Sequence, residues 1–326
     1  MAKIETIFGS SLFAPNQQPL TLALLVLPQS SILEVASTLD PLRAANRHLG
    51  TDTYRWRVVS AGGAPVPLTC GIELPSNGPL SAAKGADGLV VISGFQQWQG
   101  ATPALIRDLS RMAPGFAAVG GIDAGTWVLA RAGLLNGYRA TVHWEDLEDI
   151  AAAHPQIDVL PDRFVIDRNR FTAGGAAPAA DLMLHLIRAR HGPALALQVA
   201  ASFITTARDG AEPQIAPTRP DPRLDPRVAA AVARMEAHLD APEPTSAIAR
   251  TTGLSSRRLE QLFRDNLGLT PAAYALTLRL AAARRMITDT RHPLSEVALR
   301  TGFSSPSTLS RAFRAQYGQA PGALRR

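Results

Sequence analysis

A nine-residue stretch near the C terminus occurs twice. Ile248-Ala-Arg-Thr-Thr-Gly253-Leu-Ser-Ser256 is matched by Val297-Ala-Leu-Arg-Thr-Gly302-Phe-Ser-Ser305, forty-nine residues further on. The register slips by one at Pro306. Beyond it Leu259, Phe263, Arg264, Gly268 and Pro271 are matched by Leu309, Phe313, Arg314, Gly318 and Pro321. Apolar residues in both copies recur at i, i+3, i+4, the period of a helix with one buried face. From Pro226 onward no strand-like alternation occurs, so this third of the chain is two copies of one helical unit.

Each copy has the parts of a helix-turn-helix. A short helix carries Ile248-Ala249 or Val297-Ala298 on its inner face. Gly253 and Gly302 stand where the chain turns sharply, a place that suits a residue tolerant of positive φ. Ser255-Ser256 and Ser304-Ser305 supply side-chain oxygens to cap a second helix. That helix buries Leu259, Leu262 and Phe263 in one copy, and Leu309, Ala312 and Phe313 in the other. Gly268 and Gly318 are placed to end it. Thr270-Pro271 then caps and starts a long connecting helix that runs to about Ile287.

The outer face of the second helix offers Ser256, Arg257, Arg258, Gln261 and Arg264 in the first copy. The second copy offers Ser305, Ser307, Ser310, Arg311 and Arg314. Arginine pairs with guanine edges or phosphates, glutamine with adenine edges, and serine with either. Charge points the same way. From Arg227 onward there are 15 arginines, no lysine and 7 acidic residues, a net charge of +8, whereas the rest of the chain carries −2. One arginine alone is equally a solvated helix face. The repeat and the charge together predict double-stranded DNA as a partner, with the connecting helix setting the two units into major-groove turns roughly 34 Å apart.

At 326 residues the chain is expected to form two domains. Pro213, Pro217, Pro220, Pro222 and Pro226 crowd one short stretch and rule out a helix or central strand there. Residues 208–226 are therefore expected to be a semi-rigid linker between a domain at 1–207 and another at 227–326. Upstream, strands are expected at Leu22–Leu27, Tyr54–Ser60, Leu89–Ser93 and Ala117–Ile122. Helices are expected at Ile32–His48 (with Asp40-Pro41 a place to kink or stop), Pro103–Met112, Ala124–Ala132, Trp144–Ala153 and Ala177–Ala189. Apolar strands alternating with helices make an α/β fold, a mostly parallel sheet covered on both faces, followed by the all-α unit. Cys70 is the only cysteine, so no intrachain disulfide forms. The first residues lack the plan of a signal peptide, and no apolar run is long enough for a membrane span. A cytoplasmic protein with no cofactor is expected.

Gly120-Gly-Ile-Asp123-Ala-Gly125 follows an expected strand and precedes a helix. Glycines on both sides of such a turn make a nucleophile elbow, which lifts its central side chain above the sheet edge. That side chain is Asp123, and His143 lies twenty residues on, where a partner base could be supplied. In parallel sheets ligands gather at the carboxyl ends of strands. A pocket over the elbow would draw negative charge from Glu34 and Asp123, and aromatic faces from Trp127, Trp144, Trp98 and Phe95. Carboxylates within aromatic walls select an organic cation such as a quaternary ammonium or guanidinium group. Plainer roles stand beside these: core packing for Trp127 and Trp144, an ordinary helix start for Glu34, a hydrogen bond to the elbow for His143.

The segment from about Val228 to Arg326 resembles the AraC-type DNA-binding domain, on its two units and the Gly-Phe-Ser-Ser…Phe-Arg…Tyr-Gly…Pro ending at 302–321. Leu20 to His191 resembles the class I glutamine amidotransferase-like domain of the PfpI type. The whole chain is similar to the GlxA group of AraC regulators, which includes regulators of betaine, carnitine and arginine catabolism. Matching residues include Leu33-Glu34, Asp40-Pro-Leu-Arg43, Gly120-Gly-Ile, Val128–Leu135, Ala140-Thr-Val-His-Trp-Glu145 and Asp181–Leu184. The resemblance implies promoter binding at direct half-sites, usually activation, effector control through the α/β domain, a homodimer, and contact with RNA polymerase. The superfamily's enzymes hold a cysteine at the elbow, whereas this chain holds Asp123 there and its cysteine elsewhere. A carboxylate is a weak nucleophile for acyl transfer. The favoured reading is a non-catalytic sensor of a small metabolite, a cationic amino acid or quaternary amine derivative. An active hydrolase or amidotransferase fused to a DNA-binding module, and an inert dimerisation scaffold, are the rival readings.

Overall fold

The computed structural model describes residues 11–94, 96–214 and 224–324. The chain divides into two units, Met1–Ile215 and Ala216–Arg326. In the first, the described strands are β1 (Leu20–Val26), β2 (Tyr54–Val59), β3 (Val66–Pro67), β4 (Glu73–Leu74), β5 (Gly88–Ser93), β6 (Ala118–Asp123), β7 (Arg139–Ala140), β8 (Asp158–Val159), β9 (Phe164–Asp167) and β10 (Arg170–Ala173). The helices between and after them are α1 (Ile32–Leu49), α2 (Gln97–Gly100), α3 (Pro103–Met112), α4 (Gly125–Arg131), α5 (Leu147–Ala153), α6 (Ala176–His191) and α7 (Pro193–Ser202).

Six strands form one sheet in the order β2-β1-β5-β6-β10-β9, parallel except for β9 against β10. The alternation of side chains along each strand builds a core on both faces. Leu22, Leu24, Val90, Ile92 and Ile122 pack under α1, α6 and α7 on one face. Ala23, Leu25, Leu89, Val91 and Val119 pack under α3, α4 and α5 on the other. The four long strands fall within two residues of their expected bounds. The expected helix at Trp144–Ala153 is a 3₁₀ turn, Trp144–Asp146, leading into α5. β9, β10 and α7 were not expected. The two strands are four residues each and joined through Arg168 at a φ of +54°, without the Asn-Gly or Asp-Gly signal of a tight hairpin.

Pro41 neither ends nor divides α1, which runs on to Leu49. The proline removes one backbone donor, but Val35, Thr38, Leu42 and Ala45 bury a full face of the helix. Ser31 and Glu34 close a capping box at its start, and Gly50 in the left-handed region ends it. Packing and caps together outweigh the lost bond.

The expected linker is shorter than residues 208–226. Arg208 to Gln214 lie on the α/β unit: Arg163 N–H donates to the carbonyls of Gly210 (2.9 Å) and Glu212 (3.1 Å), and Asp162 bridges Pro213. Prolines keep a segment out of helices and central strands, yet their neighbours' carbonyls remain free to accept bonds. At the other end, Asp225 caps the next helix and Pro226 is its first residue.

The second unit contains α8 (Pro226–Ala237), α9 (Thr245–Thr251), α10 (Ser256–Leu267), α11 (Pro271–Asp289), α12 (Leu294–Arg300) and α13 (Pro306–Tyr317). Helices α9 and α10 form one helix-turn-helix, α12 and α13 the other. Each has its own apolar core, around Phe263 and Phe313. Helix α11 joins both, with Tyr274 and Leu278 against the first and Leu280, Ala283 and Ile287 in the second. The second core is closed by Arg279, which donates to the carbonyls of Thr301 (2.7 Å) and Gly302 (2.6 Å) and lies 4.1 Å over the Phe303 ring. Caps fall on Ser255 and Ser305, fifty residues apart, so the register slip lies in the second turn, before Ser305, rather than at Pro306.

Candidate nucleic-acid interface and effector pocket

Helices α10 and α13 each present one solvent stripe. Arg257, Gln261 and Arg264 are exposed at i, i+4, i+7 along α10, and Ser307, Arg311 and Arg314 occupy the equivalent exposed places on α13. Arg258 is exposed beside the first stripe, and Ser310 is half-buried beside the second. Ser305 is the N-cap of α13: its Oγ accepts from Thr308 N–H (3.2 Å) and meets Ser307 Oγ (2.8 Å), so its hydroxyl already holds the helix in place. Ser256 is the half-buried residue after the α10 cap. Gln261 Nε2 donates to Asp265 Oδ1 (2.8 Å), and Arg264 sits 3.8 Å from Glu260. Both contacts are exposed and weak in water, so these side chains can exchange them for a partner.

In the α/β unit the chain leaves β6 at Asp123 with a φ of +55°, a conformation uncommon for a residue with a side chain. The turn is held by close approach at Gly125, where a Cβ would meet the Val91 carbonyl. The strained turn places the Asp123 carboxyl at the carboxyl edge of the sheet, as expected of an elbow. Glu34, buried at 4% exposure, comes from the first turn of α1 and accepts from Ser31 N–H (3.3 Å). The two carboxyls hydrogen-bond to each other.

Electrostatics fix where the proton sits. Burial raises both carboxyl pKa values, and Asp123 is raised well above its usual range by burial, then by the charge and hydrogen bond of Glu34. The bond from Asp123 and the Ser31 amide both favour the charged form of Glu34. Asp123 therefore keeps the proton and donates it to a Glu34 carboxylate, and the pair carries one negative charge. His143 lies close enough to lower the Asp123 pKa, and Asp146 opposes it. His143 Nδ1 accepts from the Glu145 amide (3.4 Å), and its ring tilts against Trp144 with centroids 5.7 Å apart. Trp144 is 41% exposed.

The structure thus brings Glu34, Asp123 and His143 together, with Trp144 joined to them only through its ring contact with His143. Trp127 does not join them: it packs on the core under α4 and meets the His154 ring edge-on at 5.8 Å. It stands directly between buried Thr126 and Val128, and the period of a seven-residue helix turns its ring toward the end of α5. Trp98 is half-buried on α2, and Phe95 lies outside the described residues. Ser93 was missed. It ends β5 in register with Asp123, fully buried, and its Oγ has no hydrogen-bond partner among the described residues. A hydroxyl closing an otherwise apolar parallel strand was the available signal. Cys70 is exposed on a different segment, and the described residues hold no cluster fit for a metal ion. An open cleft of ≈ 580 Å³ lined by Lys84 and Arg111 lies at the amino ends of β5 and β6, away from Asp123.

Residues 21–189 match the DJ-1/PfpI family and residues 248–326 a helix-turn-helix domain. The chain is 38% identical over 306 residues to the HTH-type transcriptional regulator CdhR of Pseudomonas aeruginosa, covering 91% of this chain and 89% of that one. It is 32% identical over 305 residues to the HTH-type transcriptional regulator GlxA of Rhizobium meliloti, with 91% and 92% covered. The chain belongs to the DJ-1/PfpI–AraC transcriptional regulators. An AraC family transcriptional regulator from Pseudomonas putida matches this regulator's fold with a TM-score of 0.51 at 30% identity, over 57% of this chain and 100% of that one. The regulator's two units correspond to the two matched families, so the elbow and the helix pair belong to different domains of one protein. Among its described residues no helix is long and apolar enough to cross a membrane.

Proposed function

We propose that this regulator binds promoter DNA sequence-specifically as a homodimer, contacts RNA polymerase as an activator, and is controlled by a small organic cation held in a non-catalytic pocket over Asp123. The reading of the DNA half rests on one observation: two capped helices with matching exposed stripes share a single 19-residue helix, α11. At about 1.5 Å per residue that helix is about 28 Å long, of the order of one groove turn. The arginines on the stripes supply both phosphate charge and base recognition.

Sensing rather than catalysis is supported by the elbow. A protonated carboxyl hydrogen-bonded to a second acid is neither a nucleophile nor a free base, and Cys70 is not there to replace it. What the pair does offer is one buried negative charge, with a second when a cation displaces the shared proton, and an exposed Trp144 ring tilted against neighbouring His143. A quaternary ammonium or guanidinium group of an amine or amino-acid derivative complements both.

Arg311→Ala tests the DNA half. If Arg311 reads a base, fluorescence anisotropy with a duplex from the regulated promoter should show a loss of about 1–3 kcal/mol, concentrated on the cognate sequence. If it holds a phosphate, affinity should fall on all duplexes and the slope of log K against log salt should shrink by about 0.9. An unchanged affinity and slope would remove Arg311 from the interface. A full-length protein that prefers no duplex over random competitor at moderate ionic strength would overturn the whole reading.

A further inference from the structure

The segment that leaves the α/β unit is tied to the same loop that carries His143. Gln214 Nε2 donates to Thr141 Oγ1 (2.8 Å), the Val142 carbonyl (2.7 Å) and the Asp162 carbonyl (3.0 Å). Thr141 in turn connects to the elbow helix, because Thr126 Oγ1 donates to the Thr141 carbonyl (2.9 Å). His143 is two residues beyond Thr141. The Gly174-Gly175 turn before α6 serves both ends: Gln214 occupies the space a Cβ on Gly174 would take, and the His143 ring would lie 3.7 Å from one on Gly175. Upstream, Arg208 N–H donates to Asp181 Oδ1 (3.0 Å), whose other oxygen holds the buried Arg163 guanidinium (2.5 Å).

This attachment is made largely of hydrogen bonds, and one is missing. Gln214 Oε1 is buried without a partner among the described residues. A buried acceptor left unpaired disfavours the docked state. The seven docked residues, once released, add up to about 25 Å of reach to the chain that continues to α8.

We propose that residues 208–214 form a releasable strap, with Gln214 as its latch, through which occupancy of the Asp123 pocket controls the DNA-binding domain. The inference rests on the sensor reading given above. A ligand seated against His143 and Trp144 shifts the Thr141–Asp146 loop, Gln214 loses its acceptors, and the strap detaches. The ligand acts because it binds the released state better than the docked one.

The test uses the full chain with Gln214→Ala and Gln214→Glu, the second placing a negative charge against two carbonyls. Hydrogen exchange is followed at the amides of Arg163 and Arg208, with β1 amides as the control for an intact fold. Promoter affinity is read by anisotropy, with and without tetramethylammonium, choline and L-arginine as probes. Both variants should exchange faster at Arg163 and Arg208 with β1 unchanged. Without any probe they should show a promoter affinity shifted about tenfold, in the direction an active probe shifts the wild type, and respond little further. Variants with wild-type exchange and affinity, or with a full remaining response to an active probe, would overturn the strap. Variants that shift promoter affinity while no probe alters the wild type would support the strap and count against the pocket.

Discussion

Replacing Gly302 by alanine should abolish promoter binding, whereas the same change at Gly253, its counterpart in the repeat, should be tolerated. Both glycines sit in the left-handed region, at φ of +68° and +71°, where a side chain costs about 1–2 kcal/mol. Their surroundings differ. A Cβ on Gly253 meets nothing within 4 Å, but one on Gly302 would lie 2.5 Å from Pro242 Cδ and 2.6 Å from the Leu239 carbonyl. Those atoms belong to the connection between α8 and α9, so the turn between α12 and α13 is wedged against the segment that leads into the first helix-turn-helix. Relief requires moving a proline ring and a backbone carbonyl, or moving Gly302 off the Arg279 guanidinium. Gly302→Ala should therefore cost about 3 kcal/mol or more, Gly253→Ala about 1 kcal/mol. All four tryptophans, Trp56, Trp98, Trp127 and Trp144, lie in the α/β unit. Melting followed by tryptophan fluorescence should stay as in the wild type, while far-ultraviolet circular dichroism reveals early loss of helix in Gly302→Ala. Equal losses in the two variants would show that the wedge does not fix the second helix-turn-helix.

That contrast also marks what the sequence made legible. The repeat, the caps and the turn glycines follow from local rules, so the helix pairs and their exposed stripes were readable. The wedge at Gly302 was not, because it depends on Leu239 and Pro242, which the repeat does not include. The elbow was readable for a similar reason: glycines on both sides of Asp123 have one economical explanation. Glu34 was found as an acid at the start of the first helix, among the residues that carry the family resemblance, but its bond to Asp123 needed the packing of α1 on the sheet. Trp127 shows the opposite case. An aromatic beside the elbow looked like a wall, yet a short helix allows only one face inward, and the buried positions Thr126 and Val128 turn it toward His154. Gln214 left no trace at all. Its partners are mostly backbone carbonyls, which every residue possesses, so no pattern of side chains could announce it.

Asp123→Asn should both stabilise the empty α/β domain near neutral pH and weaken its binding of cations. In the folded protein the carboxyl holds its proton to higher pH than the unfolded chain does. The native state therefore binds more protons over that interval, and its stability falls as pH rises from the ordinary carboxylate range, about 4, through the raised value. Asparagine keeps a donor toward Glu34 and cannot ionise, so the penalty disappears. The variant should melt at a higher temperature than the wild type at neutral pH, and its stability should depend less on pH above the ordinary carboxylate range. The sign for ligand is the reverse. A cation is held best when both carboxyls are charged, so binding to the wild type expels the shared proton. Its affinity should then rise up to tenfold per pH unit below the raised pKa. Calorimetry of a binding cation in buffers of different ionisation enthalpy should detect close to one proton released per ligand. In Asp123→Asn the released proton should vanish and affinity should drop by about a hundredfold, since only one carboxylate remains. Binding of the same cation with unchanged affinity and no pH dependence in either protein would place the ligand away from Asp123.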